Sequence, residues 1–189
     1  PEVSPDERVR QLRTRMEASR LLHDMPKPTV AAIGGAAAGA GLALALACDL
    51  RIAGESAKIT TAFGKVGLSG DFGGTYFMTR LLGSARAREL YLLSPILEAR
   101  QALAIGLVSR VVPDDQVESA GNELARSLAE GPTVTYGHMK QNLNMGEHAG
   151  LAECLDSEAW RHIVCMSTAD HREAAAAFVE KRPPRFTGK

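Results

Sequence analysis

The chain has 189 residues, of which 45% are apolar and 23% are charged, which suits one globular hydrophobic core. Its 22 basic side chains balance its 22 acidic ones, so no charge excess indicates nucleic acid or an anionic membrane surface as a partner. The three cysteines, Cys48, Cys154 and Cys165, lack the spacing of a zinc site or a redox pair. They are typical of reduced thiols, and we expect a cytoplasmic protein.

A helix is predicted from Ser4 to Met25, because Ser4 can cap it, Pro5 suits its first turn and Pro26 ends it. The 21 residues that follow from Pro28 carry no charge, and their length alone would allow a membrane span. However, glycines separate a β-branched run from a Leu/Ala run within this stretch. We therefore expect a buried strand, a turn and a buried helix there, and no membrane span.

Up to about residue 130 the sequence predicts alternating strands and helices. Strands are expected at 29–33, 49–53, 57–61 and 107–112, a tight turn at 34–39, and helices at 40–48, 74–82, 84–93, 98–105 and 113–130. Beyond this point only helices are expected, at 132–145, 151–166 and 169–181. The alternation predicts an α/β core with mostly parallel strands over residues 1–130, followed by a helical region over residues 131–189.

The most informative motif is the turn after the first strand, which consists only of Gly and Ala and leads into a helix near Ala40. The first N–H groups of a helix have no partner within it, so this turn could bind negative charge developing on a carbonyl oxygen. Close packing of helix on sheet is the alternative reason for so many small residues. A dinucleotide-binding turn is excluded because Leu44 stands where its third glycine would be. A P-loop and a serine-hydrolase elbow lack their Lys or Ser.

Three ordered blocks resemble the crotonase (enoyl-CoA hydratase/isomerase) family. They read KPTVAAIGGAAAGAGLALALACDLRIA, FGKVGLSGDFGGTYFMTRLLG and EARQALAIGLVSRVVP, and the ending KRPPRFTGK is similar to that of several members. The resemblance runs from about Leu22 to the end of the chain. In its all-small turn and in this ending, the chain most resembles the epoxyphenylacetyl-CoA isomerase-like members of the family.

The resemblance implies a spiral of ββα units with a helical C-terminal region that forms homotrimers, often paired into hexamers. It implies a coenzyme A thioester as substrate and no separate cofactor. Two backbone N–H groups would hold the thioester carbonyl, and Ala40 would supply one of them. The other would come from an N-terminal portion of the fold that these residues do not resemble. Losing one such donor costs about 2.7–4 kcal/mol of transition-state stabilisation, so we expect weak catalysis from these residues alone.

The residues that align with the two catalytic glutamates of the family's hydratases are apolar here, namely Ala43 and Phe63. Neither can carry a proton, which puts a two-carboxylate hydration mechanism in doubt. Asp71, in GLSGDFGG, is the remaining carboxylate, and it resembles the acid/base of members that move double bonds. Its alternative role is the N-cap of the helix that follows. An apolar pocket beside Phe63 or Phe72 would raise its pKa.

By resemblance, the catalytic groups are Asp71 and the Ala40 backbone N–H. The residues expected to contact substrate are Ala38, Gly39, Gly41, Ala43, Phe63, Leu68, Gly70 and Phe72. We expect a proton-shuttling enoyl-CoA isomerase, with a hydratase of the same family or a non-catalytic acyl-CoA-binding member as alternatives. No metal site is expected, because the five histidines are scattered. Trp160 is expected to anchor a helix in a core or subunit interface, and the basic tail to be solvated or to meet coenzyme A phosphates.

Overall fold

The computed structural model describes residues 3–189. These residues form two compact units. The first comprises the chain up to His23 and Thr29–Gly121, and the second comprises Asp24–Pro28 and Asn122–Lys189. The predicted division into an α/β core over residues 1–130 and a helical region over residues 131–189 stays a prediction.

The first unit is built from short strands and helices in alternation, as the sequence predicts. Its helices are α1 (Pro5–Asp24), α2 (Ala40–Leu46), α3 (Gly74–Leu93), α4 (Ala99–Ala104) and the start of α5 (Val117–Ala129). Its strands are β1 (Val30–Ile33), β2 (Ala36–Ala38), β3 (Leu50–Gly54), β4 (Lys58–Thr60), β5 (Leu97–Glu98) and β6 (Arg110–Val112). Two 3-10 turns, Phe63–Val66 and Asp114–Gln116, complete it.

The strands form two three-stranded sheets, in the orders β1-β3-β6 and β2-β4-β5. The first is wholly parallel, with Val30 opposite Leu50 and Ile52 opposite Arg110. In the second, β2 and β4 are parallel and β5 is antiparallel to β4. The prediction of mostly parallel strands is therefore confirmed. Asp49 ties the starts of β1 and β3 together, because its Oδ2 accepts from the Thr29 N–H at 2.6 Å and from the Thr29 hydroxyl at 2.8 Å.

The core of this unit lies between the sheets and the helices α2, α3 and α4. Its fully buried side chains include Ile52, Ile59, Met78 and Leu107. The run of small residues in α2 lets α3 pack closely against it, since even a single added Cβ atom at Gly74, the first residue of α3, would lie only 3.0 Å from Ala43 Cβ. The fold thus brings the all-small turn next to the Asp71 loop.

One local prediction needs correction, and a second is confirmed. The stretch 34–39 is not only a turn, because Ala36–Ala38 pairs with β4 as β2. The two helices predicted at 74–82 and 84–93 are both present, as the two parts of α3, and they meet at Gly83, whose φ of 77° and ψ of 159° are not helical and are readily adopted only by glycine.

The second unit is helical, as predicted. After the end of α5 it contains α6 (Thr133–Gly146), α7 (Leu151–Met166) and α8 (Ala169–Glu180), and the tail that follows folds back along α8. Trp160 is 61% exposed, so it does not anchor the core of this unit, and the alternative expectation that it lies at a subunit interface stays a prediction. Its indole meets the His138 ring edge-on. None of the helices within residues 3–189 combines the length and the apolar character that crossing a membrane requires.

Candidate active site

The all-small turn, residues 34–39, leads directly into the N-terminus of α2. Gly39 is the N-cap residue, with a φ of 52°, and its N–H donates to the Thr60 carbonyl at 3.2 Å. Ala40 is the first helical residue, so its N–H has no acceptor within the helix. The geometry leaves this N–H at the positive end of a short helix, where a polarised carbonyl oxygen could accept from it.

Phe63 closes one side of this turn. The ring is 6% exposed, and a Cβ atom at Gly39 would lie 3.6 Å from its edge. Ala43, one turn along α2, is 1% exposed. Both positions, which the resemblance implies would align with the hydratase glutamates, are therefore buried and apolar, and α2 carries no ionisable group at all.

The Asp71 loop is held in an unusual backbone conformation. Gly70, Phe72 and Gly73 all have positive φ values, of 122°, 47° and 74°. The Asp71 carbonyl accepts from the Gly74 N–H at 3.0 Å, which closes the loop onto the start of α3. Positive φ at Phe72 is strained for a residue with a side chain, and such strain is common where a loop aims a functional group.

Asp71 is not the N-cap of α3, so that alternative is wrong. The N-cap position belongs to Gly73, and no side chain caps the helix. The Asp71 carboxylate instead has a buried oxygen, Oδ1, that finds no hydrogen-bond partner among residues 3–189. Burial raises the pKa of Asp71 above its ordinary value, in the predicted direction, because the charged form loses water without gaining a donor.

Tyr91, which sequence reasoning missed, joins the Asp71 loop to α2. Its ring stacks on Phe63, with centroids 6.1 Å apart. A Cβ atom at Gly74 would collide with the Tyr91 hydroxyl and would lie 3.0 Å from Ala43 Cβ. A Cβ atom at Gly70 would lie 3.3 Å from the same ring. Burial and the charge of Asp71 raise the pKa of Tyr91 to about 12, so it is a neutral phenol.

The remaining predicted site residues are spread more widely. Ala38 ends β2 with an exposed side chain, and Leu68 is 62% exposed on the loop before Asp71. Gly41 is exposed and faces a shallow groove on the opposite side of α2, beside Leu44 and Cys48. The structure therefore brings Gly39, Ala43, Phe63, Gly70 and Asp71 into one cluster around Tyr91, and it leaves Gly41 outside that cluster.

The other candidates have structural partners. Arg182 in the basic tail forms a two-pronged ion pair with Glu173, at 2.6 and 3.0 Å, which occupies its guanidinium. In the part of the chain that the structure describes, no three His, Cys, Asp or Glu side chains are grouped so that they could hold a metal ion.

Comparison with known proteins identifies the family. The sequence pattern of the enoyl-CoA hydratase/isomerase family matches residues 7–189. The chain is 44% identical to 1,2-epoxyphenylacetyl-CoA isomerase of Escherichia coli strain K12 over 90% of its own length and 65% of that protein. It is 39% identical to the mitochondrial methylglutaconyl-CoA hydratase of Rattus norvegicus, over 88% of its own length and 54% of that protein.

A solved structure agrees with these sequence matches. The crystal structure of an enoyl-CoA hydratase from Bacillus anthracis superposes with a TM-score of 0.92 at 30% identity, covering 99% of this chain and 72% of that one. The chain thus spans about two thirds or less of the length of the curated relatives named above. By its sequence and by its crotonase fold, this chain belongs to the enoyl-CoA hydratase/isomerase family.

Proposed function

We propose that this chain carries the acid/base of an acyl-CoA isomerase, with Asp71 moving a proton along an enoyl-CoA substrate. Asp71 would remove a proton from the carbon between the thioester and the double bond. The electron pair would spread onto the thioester oxygen as a dienolate, and Asp71 would return the proton to the far carbon of the former double bond. No atoms are gained or lost, so one carboxylate suffices and no separate cofactor is required.

The main support for this proposal is a carboxylate oxygen of Asp71 that has no hydrogen-bond partner within residues 3–189. Asp71 Oδ1 is buried and lacks a donor within residues 3–189, and burial raises the pKa of this carboxyl group. A carboxylate that is poorly solvated is a stronger base than one in water, which suits proton abstraction next to a carbonyl. A purely structural aspartate would be expected to accept hydrogen bonds, as Asp49 and Asp170 do in this protein.

The surroundings of Asp71 argue for isomerisation over hydration. Adding water to a double bond by the two-carboxylate route needs a second carboxylate to activate the water. The resemblance implies that Ala43 and Phe63 stand where those carboxylates would be, and both side chains are buried and apolar. The Phe63 ring stacks on Tyr91 and offers no group that could activate a water molecule.

The Ala40 N–H is the proposed donor to the thioester oxygen. It lies at the start of α2, three residues before Ala43 and next to Gly39, on which Phe63 packs. The resemblance to the family implies that a second donor comes from a segment N-terminal to these residues.

Self-association through the second unit is also proposed, as a homotrimer or hexamer. Its helices expose several large apolar side chains, namely Leu143, Leu155, Ile163, Phe178 and Val179, which are 54–85% exposed. Such a concentration of apolar surface is typical of a protein interface.

Isomerisation is tested by incubating full-length protein with 3-enoyl-CoA and with 2-enoyl-CoA in heavy water and following the products by mass spectrometry. The proposal predicts deuterium uptake and migration of the double bond without a gain of water. Asp71→Asn should abolish turnover and retain coenzyme A thioester binding. Asp115→Asn, at an exposed position in the 3-10 turn 114–116, is the matched control and should leave turnover unchanged.

Two other outcomes would replace the proposal. Addition of a whole water molecule to 2-enoyl-CoA would show a hydratase, the activity named for the Rattus norvegicus relative. Binding of both thioesters without any exchange or conversion would show an acyl-CoA-binding protein that lacks catalysis. Unchanged turnover in Asp71→Asn would overturn the assignment of the acid/base.

A further inference from the structure

We propose that Phe77 on α3 is a positioning residue for Asp71: its ring braces the Gly73 backbone and fixes the turn that places the carboxylate. This inference rests on the proposed function, because it concerns the residue that is taken there as the acid/base. It adds a side chain that lies six positions further along the chain, in the first turns of α3.

Phe77 holds Gly73 through two contacts. Its backbone N–H donates to the Gly73 carbonyl at 3.0 Å, at the start of α3. The edge of its ring lies against the same residue, because a Cβ atom at Gly73 would lie 3.0 Å from Phe77 Cε2 and 3.5 Å from Cδ2. The ring is therefore in van der Waals contact with the Gly73 backbone, and Gly73 cannot move toward it. The backbone bond is common to helix starts, so the ring is the part of Phe77 that a substitution tests.

The turn that Gly73 ends depends on support of this kind. Gly70, Phe72 and Gly73 all have positive φ values, and Phe72 is strained at its φ of 47° because it carries a side chain. Such a turn keeps its shape only where neighbouring groups constrain it. Tyr91 supports the first end of the turn, since a Cβ atom at Gly70 would lie 3.3 Å from its ring. Phe77 supports the last end, at Gly73.

The ring of Phe77 is itself fixed by its neighbours. It is half-buried and packs against the hydrophobic core of the first unit. The His23 ring, near the end of α1, lies 5.2 Å from it between centroids, and the Tyr76 ring meets it edge-on at 5.3 Å. Because the core and two rings hold Phe77, it can resist movement of the turn.

The shape of the turn affects the chemistry through the burial of Asp71. Asp71 Oδ1 is buried without a hydrogen-bond partner within residues 3–189, and this burial raises the pKa of the carboxyl group. A relaxed turn would let water reach Oδ1, which would bring the pKa back toward 3.8 and weaken the carboxylate as a base. Of the neighbouring elements, α2 carries no ionisable group, and Tyr91 on α3 is neutral because its pKa is about 12. The pKa of Asp71 therefore measures whether the turn keeps its shape.

The direct test is a carboxyl-carbon NMR titration of Asp71 in the intact protein with labelled aspartate, assigned by comparison with Asp71→Asn. Phe77→Ala removes the ring, so the pKa of Asp71 should fall toward 3.8. In the isomerase assay, kcat should fall by about 10- to 100-fold because the base is misplaced, while KM changes little. Leu82→Ala, on the same helix and packed against the same core, is the matched control and should change neither the pKa nor kcat.

Phe77→Leu decides the question if Phe77→Ala does not fold. Leucine can still pack against the core but lacks an atom in the place of Cε2, the ring atom nearest to Gly73, so the pKa of Asp71 should fall here too. An unchanged pKa and an unchanged kcat in the folded Phe77 variants would overturn the inference and leave the ring as packing. The titration needs no turnover. A wild type without isomerisation, with variants that show the fall in pKa, would refute the proposed function and not this inference.

Discussion

The rings of Phe63 and Tyr91 stack with their centroids 6.1 Å apart and their planes inclined by 11°. Phe63 packs on Gly39 at the start of α2, and Tyr91 packs on Gly70 and Gly74 on either side of Asp71. The stacked pair therefore connects the start of α2, where the Ala40 N–H lies, with the loop that carries Asp71. Because both rings are held, the distance between these two parts of the site depends on aromatic packing.

Asp71→Asn should not destabilise the protein at neutral pH, and it should raise the free energy of unfolding by about 1 kcal/mol or less. Burial raises the pKa of Asp71 in the folded state above its ordinary 3.8, so the folded protein holds this proton more tightly than the unfolded chain. The stabilisation that the protonated carboxyl group contributes is therefore fully present below pH 3.8, and it is lost as the pH rises through the pKa of the folded state. Urea unfolding of both proteins at several pH values measures the difference.

The pH dependence provides the control for this prediction. The two proteins should have the same stability at pH values below 3.8, where the carboxyl group is protonated in both states. An Asp71→Asn protein that is less stable than the wild type at pH 7 would show that the carboxylate makes a stabilising contact.

Gly74→Ala should destabilise the protein by about 1–3 kcal/mol, although alanine usually stabilises a helix. The added methyl group would collide with the Tyr91 hydroxyl and press on Ala43. Gly146→Ala is a matched control, since a Cβ atom at this position at the end of α6 meets no atom within 4 Å. Thermal unfolding of both variants checks the prediction. Equal unfolding midpoints would show that Tyr91 and Ala43 can move to make room for the methyl group without loss of stability.

Asp170→Ala should release the C-terminal tail and lower stability by about 1–3 kcal/mol. Asp170 is 2% exposed, and its carboxylate accepts from the Thr187 N–H at 2.7 Å and from the Gly188 N–H at 2.9 Å. Hydrogen exchange at these two amides should become fast in the variant. Asp156→Ala, exposed on α7, should leave both amides protected. Retained protection in Asp170→Ala would show that other contacts hold the tail.

The ion pair between Glu173 and Arg182 should make the docking of the tail sensitive to acid. Hydrogen bonds from Arg182 lower the pKa of Glu173 from 4.5 to about 2. A carboxyl group with a depressed folded pKa stabilises the folded state above pH 4.5, and that contribution disappears as the pH falls toward 2. The difference in melting temperature between the wild type and Glu173→Gln should therefore be present at pH 7 and shrink on acidification. A difference that does not depend on pH would exclude the ion pair as its cause.

Much of the architecture was predictable from local patterns. The bounds of α1, α7 and α8 follow from capping residues and from Pro and Gly stops, which act within a few residues of the backbone they terminate. The stretch Ala36–Ala38 was predicted as turn because three alanines carry no strand preference. It became β2 through pairing with β4, which is a long-range contact.

The sequence by itself determined the family, the α/β alternation and the two chemical groups of the proposed site, because Asp71 and the all-small turn lie in motifs whose spacing can be read along the chain. Only the tertiary structure decided that Asp71 is not a helix cap, that Gly41 faces away from the cluster, and that Tyr91 stands between the carboxylate loop and α2. The physical reason is that a side chain's partners depend on which helix faces meet. The packing of α3 against α2 and the Phe63 turn brings together residues that are 20–52 positions apart in the chain, and no local pattern specifies that packing.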